Sequence, residues 1–327
     1  MSGHFPILFV TSSRIGDAVL SSGLLKRLHD EIPNARFTIA AGPAAAPLFR
    51  DMDRLERVIT VEKRKNSLHW IQLWNEVRGR RWGFVMDMRG SGLAGFLSAK
   101  KRRVYRSPPE GEPILHKVEE AARLLELQDD PPAPYLFVSE ETQAAADALM
   151  GRGGPILAVG PGAKWIGKTW PGERFNEVAA RLLGPDGALE GGRLVILGGE
   201  ADRDAAHTVR FATARERVID LTGKVDLLTA YAVLKRARLY IGNDSGLMHL
   251  AAAAGAPTVG VFGPSDERRY GPWGAHARAV RGPRAFEDFL AVDPELNQAL
   301  NHMLDLQVDT VLDAAQKLIA ETEQKVA

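Results

Sequence analysis

The stretch RLYIGNDSGLMHLAAAAGAPTVGVFGPSD, residues 238–266, decides the fold. LYIGND reads as a buried strand, GLMHLAAAAG as a helix of small residues and TVGVFG as a second buried strand. Short apolar runs joined by a helix indicate a parallel sheet whose faces are covered by helices. The first turn of the unit holds an acid, a hydroxyl, a glycine and an imidazole: Asp244, Ser245, Gly246 and His249.

The same alternation extends outward. ILAVGPG, RLVILGG and VIDLTG read as strands, and RFNEVAARLL, EADRDAAHTVRFATA and LLTAYAVLKRA as the helices between them. The first half repeats the rhythm. ILFV is followed by a segment with helical spacing at Val19, Leu20, Leu24, Leu25 and Leu28, then by the strands RFTIAA, VITV and GFVMDM. Between the halves, Pro131, Pro132 and Pro134 mark an extended connection, and TQAAADALMGRGG reads as a short helix and turn. The expected domains are 1–150, 151–282 and a C-terminal part, 283–327. That last part has amphipathic segments near Glu287–Leu306 and Asp309–Glu323 and returns toward the first domain. Two doubly wound α/β halves place the natural ligand cleft between them.

The length of 327 residues suits two such domains. A formal net charge of +1 argues against a nucleic-acid binder. Charge is uneven, however: between Thr60 and Arg106, twelve Lys and Arg stand against three acids. The chain has no cysteine, which removes disulfides, thiolate metal sites and cysteine nucleophiles. The N-terminus lacks the basic segment of a signal peptide. No run approaches the ~18 apolar residues of a membrane-spanning helix. A cytoplasmic protein is expected.

Two fingerprints compete for the nucleotide. Gly162–Thr169 fits G-x-x-x-x-G-K-T, the phosphate loop of NTPases. That loop requires a helix to start at its Gly-Lys-Thr, yet Trp170 and Pro171 follow, and the residue before a proline avoids helical geometry. The helix is expected from Pro171. Gly90–Gly95 fits G-x-G-x-x-G after GFVMDM, but the next strand-like piece, RRVYR, is basic and lacks the ribose-binding acid. It reads as a glycine-rich turn.

Taken alone, Asp244 to His249 has two readings. Asp244 or Ser245 caps the helix and His249 packs in the core, or the turn grips an anion. Free amides at a helix start, with Gly246 allowing close approach, suit phosphate oxygens. His249, four residues after Ser245, shares its helix face.

Four stretches together resemble glycosyltransferase family 9, the heptosyltransferases: RIGDAVLSSGLL (14–25), GPGAKWIGKTWPGERF (160–175), VILGGEADR (195–203) and NDSGLMHLAAAAGAPTVGVFGPSD (243–266). The resemblance implies a glycosyltransferase B-type fold, two Rossmann-like domains facing a central cleft. It further implies an inverting single displacement that needs no metal ion. An ADP-heptose donor would sit on the C-terminal domain, and a lipid-linked, phosphorylated lipopolysaccharide-core acceptor on the N-terminal one. The enzyme would be cytoplasmic and touch the inner-membrane surface transiently.

On this resemblance Asp17 is the general base, rather than a helix cap. Lys168 stabilises the departing diphosphate, rather than being a solvated loop lysine. Asp244, Ser245, Gly246, His249 and Lys164 surround the donor, although Lys164 departs from the small hydroxyl residues of some members. Glu200 would accept ribose hydroxyls, or be a surface acid at a helix start, and Val225 would pass over the base. Arg64, Lys65, Arg89, Lys101 and Arg102, interleaved with His69, Trp70 and Trp74, would meet acceptor anions, or form a solvated basic face over core tryptophans.

Overall fold

A computed structural model describes residues 3–109 and 111–323. The chain parts into two compact units, Met1–Ser139 and Glu140–Ala327.

Among the described residues, five strands build the first sheet: β1 (Phe5–Val10), β2 (Ala35–Ala41), β3 (Leu55–Thr60), β4 (Trp82–Asp87) and β5 (Ala99–Val104). They run parallel in the order β3-β2-β1-β4-β5. The interior strands are apolar on both faces because helices cover both. Val10, Ala40 and Val85 meet Leu73 and Val77 of the helix Leu68–Val77 in one core. The edge strand β5 reads AKKRRV, and its lysines and arginines keep that edge in solvent.

In the second unit β6 (Ile156–Gly160), β7 (Arg193–Ile196), β8 (Val218–Asp220), β9 (Leu239–Asn243), β10 (Thr258–Phe262) and β11 (Ala277–Arg281) are ordered β11-β10-β9-β6-β7-β8, again parallel. Each sheet starts at its middle, winds outward one way, then returns to wind the other. That is the doubly wound Rossmann-like arrangement expected from the sequence. Its switch point lies between β1 and β4 in one unit and between β6 and β9 in the other.

The boundary expected at 150 falls at 139 in the structure. The helix Glu140–Met150 packs on the helix Leu227–Leu234. Its Asp147 pairs with Arg236 at 3.1 Å, and the Met150 carbonyl accepts from Arg193. The expected amphipathic segment Glu287–Leu306 is helical only over Phe286–Val292. Pro294 cannot continue a helix, and the buried Asp293 carboxylate takes the amides of Asn297 (3.3 Å) and Gln298 (3.0 Å) instead. The final helix, Val308–Glu323, buries Val311, Ala315, Leu318 and Ile319 in the core beneath β9 and β10. No helix among the described residues is long and apolar enough to cross a membrane.

Candidate active site

In the second unit the strands β6, β9 and β10 are neighbours, so the loops leaving their C-terminal ends converge. Lys168 comes from the loop after β6, Asp244 from the turn after β9 and Ser265 from the turn after β10. Lys168 Nζ lies 2.6 Å from Asp244 Oδ2, and Ser265 Oγ donates to the same oxygen at 2.7 Å. An ammonium has three donors, so this pair leaves Lys168 able to donate to further oxygens. Its side chain remains one-third exposed, at 33%.

Beneath the cluster Asn243, fully buried, ties two loops together. Its Nδ2 donates to the Pro161 carbonyl at 2.6 Å and its Oδ1 accepts from the Trp170 amide at 3.0 Å. Trp170 is itself buried, edge-on to Phe175 at 4.9 Å, and its indole donates to the Leu306 carbonyl at 3.0 Å. Asn301 Nδ2 donates to the Thr169 carbonyl at 3.1 Å, and the His302 amide to the Gly167 carbonyl at 3.3 Å. The loop bearing Lys168 is therefore held on one side by β9 and on the other by residues 301–306.

The phosphate-loop match fails on geometry. Ile166–Lys168 is a single 3-10 turn, and the following helix runs Gly172–Leu183 with Pro171 as its N-cap. The helix that follows the loop thus starts three residues past Thr169 and not at the Gly-Lys-Thr. Glycine at 162 has a different cause: a Cβ there would collide with the Asp202 carboxylate, which also accepts from the Gly199 amide at 2.8 Å.

Ser245 N-caps the helix Gly246–Ala253 with extended backbone and makes no side-chain cap bond. Its hydroxyl lies against the Tyr240 phenol, whose pKa burial drives up while Ser245 pulls it partly back. His249 is buried at 5% exposure, one turn into the same helix. Gly160 and Gly242, at the ends of β6 and β9, leave room for the Tyr240 ring, which a Cβ at either would strike.

Glu200 follows β7, is exposed, and pairs with Arg203 at 2.8 Å. It also lies against Gly223, where a Cβ would meet its carboxylate, two residues before the half-buried Val225. Glu200 and Val225 thus share the β7–β8 side of the sheet. Lys164 is exposed in the β6 loop.

In the first unit Asp17 sits half-buried in the first turn of the short helix Ile15–Leu20, directly after β1, and accepts from Ser12 Oγ at 3.3 Å. Arg14 is the N-cap of that helix, so Asp17 is not its capping residue. Across the switch point Asp87, buried at the end of β4, takes the amides of Arg89 and Ser91, both at 2.9 Å, and the Ser91 hydroxyl at 2.7 Å. This fixes the Gly90–Gly92 turn, in which both glycines have positive φ. Only a 3-10 turn, Leu93–Phe96, follows, so the G-x-G-x-x-G match opens no helix toward a pyrophosphate.

The basic residues separate. Arg89 stacks on Trp70 at 4.7 Å, and burial holds its pKa below the usual arginine value, with Asp87 offsetting part of the effect. Arg64 and Lys65 are exposed in the turn just before the helix Leu68–Val77. Lys101 lies over Phe84 at 5.6 Å, and Arg102 Nε donates to the Ala94 carbonyl at 2.8 Å, bracing the turn beside β5.

Asn243, Ser265 and Asn301 were not singled out by the sequence. Asn243 and Ser265 lie inside quoted stretches, and a polar residue closing an apolar strand, as in LYIGN, is the available signal. Asn301 gives none. Among the described residues no group of three His, Cys, Asp or Glu side chains is arranged to hold a metal ion.

Two doubly wound sheets, each presenting polar loops at its switch point, match a family of solved structures. The E. coli ADP-heptose lipopolysaccharide heptosyltransferase II aligns over 98% of this chain and 100% of its own, with TM-score 0.75 and 22% identity. The fold is therefore the glycosyltransferase B type. The sequence pattern of glycosyltransferase family 9 (heptosyltransferase) matches residues 73–296, and the chain belongs to that family. Relatives include lipooligosaccharide heptosyltransferase 2 of Haemophilus influenzae, 24% identical over 84% of this chain and 88% of the relative. Lipopolysaccharide heptosyltransferase 1 of Pseudomonas aeruginosa is 28% identical over 82% and 81%.

Proposed function

We propose that the protein transfers a heptose from ADP-heptose to a lipopolysaccharide-core acceptor, with inversion at the anomeric carbon and no metal ion. The observation that carries this reading is the Lys168–Asp244–Ser265 cluster, beside the start of the helix Gly246–Ala253 at the β6–β9 switch point. A leaving diphosphate gains charge as the sugar–oxygen bond breaks. A lysine with spare donors and a helix start with free amides can meet that charge, which is the task a metal ion performs elsewhere. Ser245 and His249 would add hydroxyl and imidazole donors, with Asp244 ordering the turn. Glu200 would take the ribose hydroxyls, Val225 would flank the base, and Lys164 would approach the donor from its loop.

The acceptor oxygen attacks the anomeric carbon, the bond to the diphosphate breaks, and the acceptor proton passes to the Asp17 carboxylate. Arg64, Lys65 and Arg89, with Lys101 and Arg102 further along β5, would meet acceptor phosphates. An acceptor embedded in the inner membrane places the enzyme at its cytoplasmic face. The likeness to the E. coli ADP-heptose lipopolysaccharide heptosyltransferase II and to the lipooligosaccharide heptosyltransferase 2 of Haemophilus influenzae supports this donor and acceptor class.

Calorimetric titration with ADP-, UDP-, GDP- and CMP-sugars tests the donor. Preference for ADP-heptose is expected, and preference for another nucleotide would replace the heptose donor with a different sugar nucleotide. Undiminished transfer in EDTA is the expected outcome for the metal-free route; loss restored by magnesium would overturn it.

A further inference from the structure

Resting on the reading of a membrane-embedded acceptor, we propose that one face of the first unit docks on an anionic bilayer: the outer side of the helix Leu68–Val77 together with the tip of the Leu93–Phe96 turn. The helix buries His69, Leu73 and Val77 and turns Leu68 and Ile71 outward, 51% and 57% exposed. These two are three residues apart and so lie on one face. Phe96 is 79% exposed, the most exposed large hydrophobic among the described residues. Trp74, one turn after Ile71, donates its indole N–H to the Phe96 carbonyl at 3.1 Å, which sets the turn beside the helix.

The surroundings specify the occupant. Lys63, Arg64 and Lys65 are exposed immediately before the helix. Arg78 stacks over Trp74 at 4.8 Å and Arg89 over Trp70 at 4.7 Å, so both half-buried indoles carry a cation on their faces. Glu62 and Glu76 are the exposed acids nearby, and Glu76 is turned toward Gln72, 3.5 Å away on the helix flank. Leu, Ile and Phe side chains ringed by Lys, Arg and Trp suit an interface where apolar groups enter the acyl boundary, indoles sit at headgroup level and cations meet lipid phosphates. Arg64, Lys65 and Arg89 are shared with the proposed acceptor contacts, but Leu68, Ile71 and Phe96 belong to none of the catalytic or acceptor contacts, so the test varies the apolar side chains alone.

The test is co-sedimentation of the full chain with phosphatidylcholine vesicles, with and without about a quarter phosphatidylglycerol. Binding is expected only with the anionic lipid, and should be released by about 0.5 M KCl. The double variant Ile71→Ser, Phe96→Ser is expected to bind about tenfold less, while transfer to a deacylated, water-soluble acceptor is unchanged. Phe211→Ser, which removes a 70% exposed aromatic from the second unit, is expected to bind as the parent does. The proposal is overturned if the parent does not bind, if it binds neutral vesicles equally, or if the double variant binds undiminished. It is also overturned if Phe211→Ser loses as much, or if ultracentrifugation shows Ile71 and Phe96 joining two copies of the chain. The soluble-acceptor assay reads the transfer reaction separately, so failure of the docking face is distinguishable from failure of the proposed function.

Discussion

Lys168 and Asp244, 76 residues apart in sequence, meet at 2.6 Å where the loops after β6 and β9 converge, and Ser265 joins the same carboxylate oxygen. Strand order alone makes these residues neighbours. If Lys168 meets the leaving group as proposed, replacing it with Ala should lower kcat about 10²-fold. It should change stability by less than about 1 kcal/mol, because the pair is partly solvated. ADP release measured beside a urea melt separates the two effects. A large loss of stability with kcat intact would make Lys168 a structural residue.

Asp17→Asn keeps the shape of the first turn of its helix and removes the carboxylate proposed as the base. Transfer should fall about 10²- to 10⁴-fold, with ADP-heptose affinity unchanged by calorimetry. Transfer at the parent rate would assign the proton to another group.

Asn243→Ala leaves the Pro161 carbonyl and the Trp170 amide without their buried partner. Each orphaned group should cost about 1–3 kcal/mol, read as a lower urea midpoint. Because those two groups flank the Lys168 loop, donor affinity should fall as well. A variant as stable as the parent would mean that the loops are held elsewhere.

Asp293 supplies a pH dependence. Burial alone would raise its pKa, but the amides of Gln298 and Asn297 and the His302 side chain outweigh burial and hold the carboxyl below the ordinary aspartate value. A depressed folded-state pKa contributes stability that is present above the unfolded value, near 3.8, and lost as pH falls through the folded one. The gap in melting temperature between the parent and Asp293→Asn should therefore be widest at neutral pH and close below about pH 4. A gap constant down to pH 3 would count against the ionised form as the source.

Lys117 tests the opposite sign. Its pKa is raised: burial opposes the charge, but the hydrogen bond to the buried Glu120, 2.6 Å away, and the Tyr105 hydroxyl outweigh it. The stabilisation should be complete below the unfolded lysine value of ~10.4 and lost as pH rises through the folded one. Lys117→Met should be destabilised at pH 7, with Glu120 losing its cation but keeping the Tyr105 hydroxyl bond at 2.7 Å, and less so relative to the parent at strongly alkaline pH. A difference independent of pH would assign the effect to packing.

The fold was largely legible because its signals are local. Apolar runs of strand length alternate with helical spacing, and prolines mark the connection near 131–134. The rejection of both glycine fingerprints was legible too: Pro171 forbids a helix start at Lys168, and the structure begins that helix at Gly172. The domain boundary was missed, since the partner of the helix Glu140–Met150 is Leu227–Leu234, far along the chain. The helix expected across 287–306 failed where Pro294 meets a buried Asp293 that captures nearby amides.

By itself the sequence determined which segments are strands and helices, that they alternate, and which polar turns follow strands, because periodicity, caps and prolines act within a few residues. The tertiary structure alone decided that β6 lies between β9 and β7. Lys168, Asp244 and Ser265 therefore share one oxygen, and Asn243 and Asn301 brace the loop between them. Those contacts span tens of residues and follow from sheet order, a property of backbone pairing that no local pattern encodes.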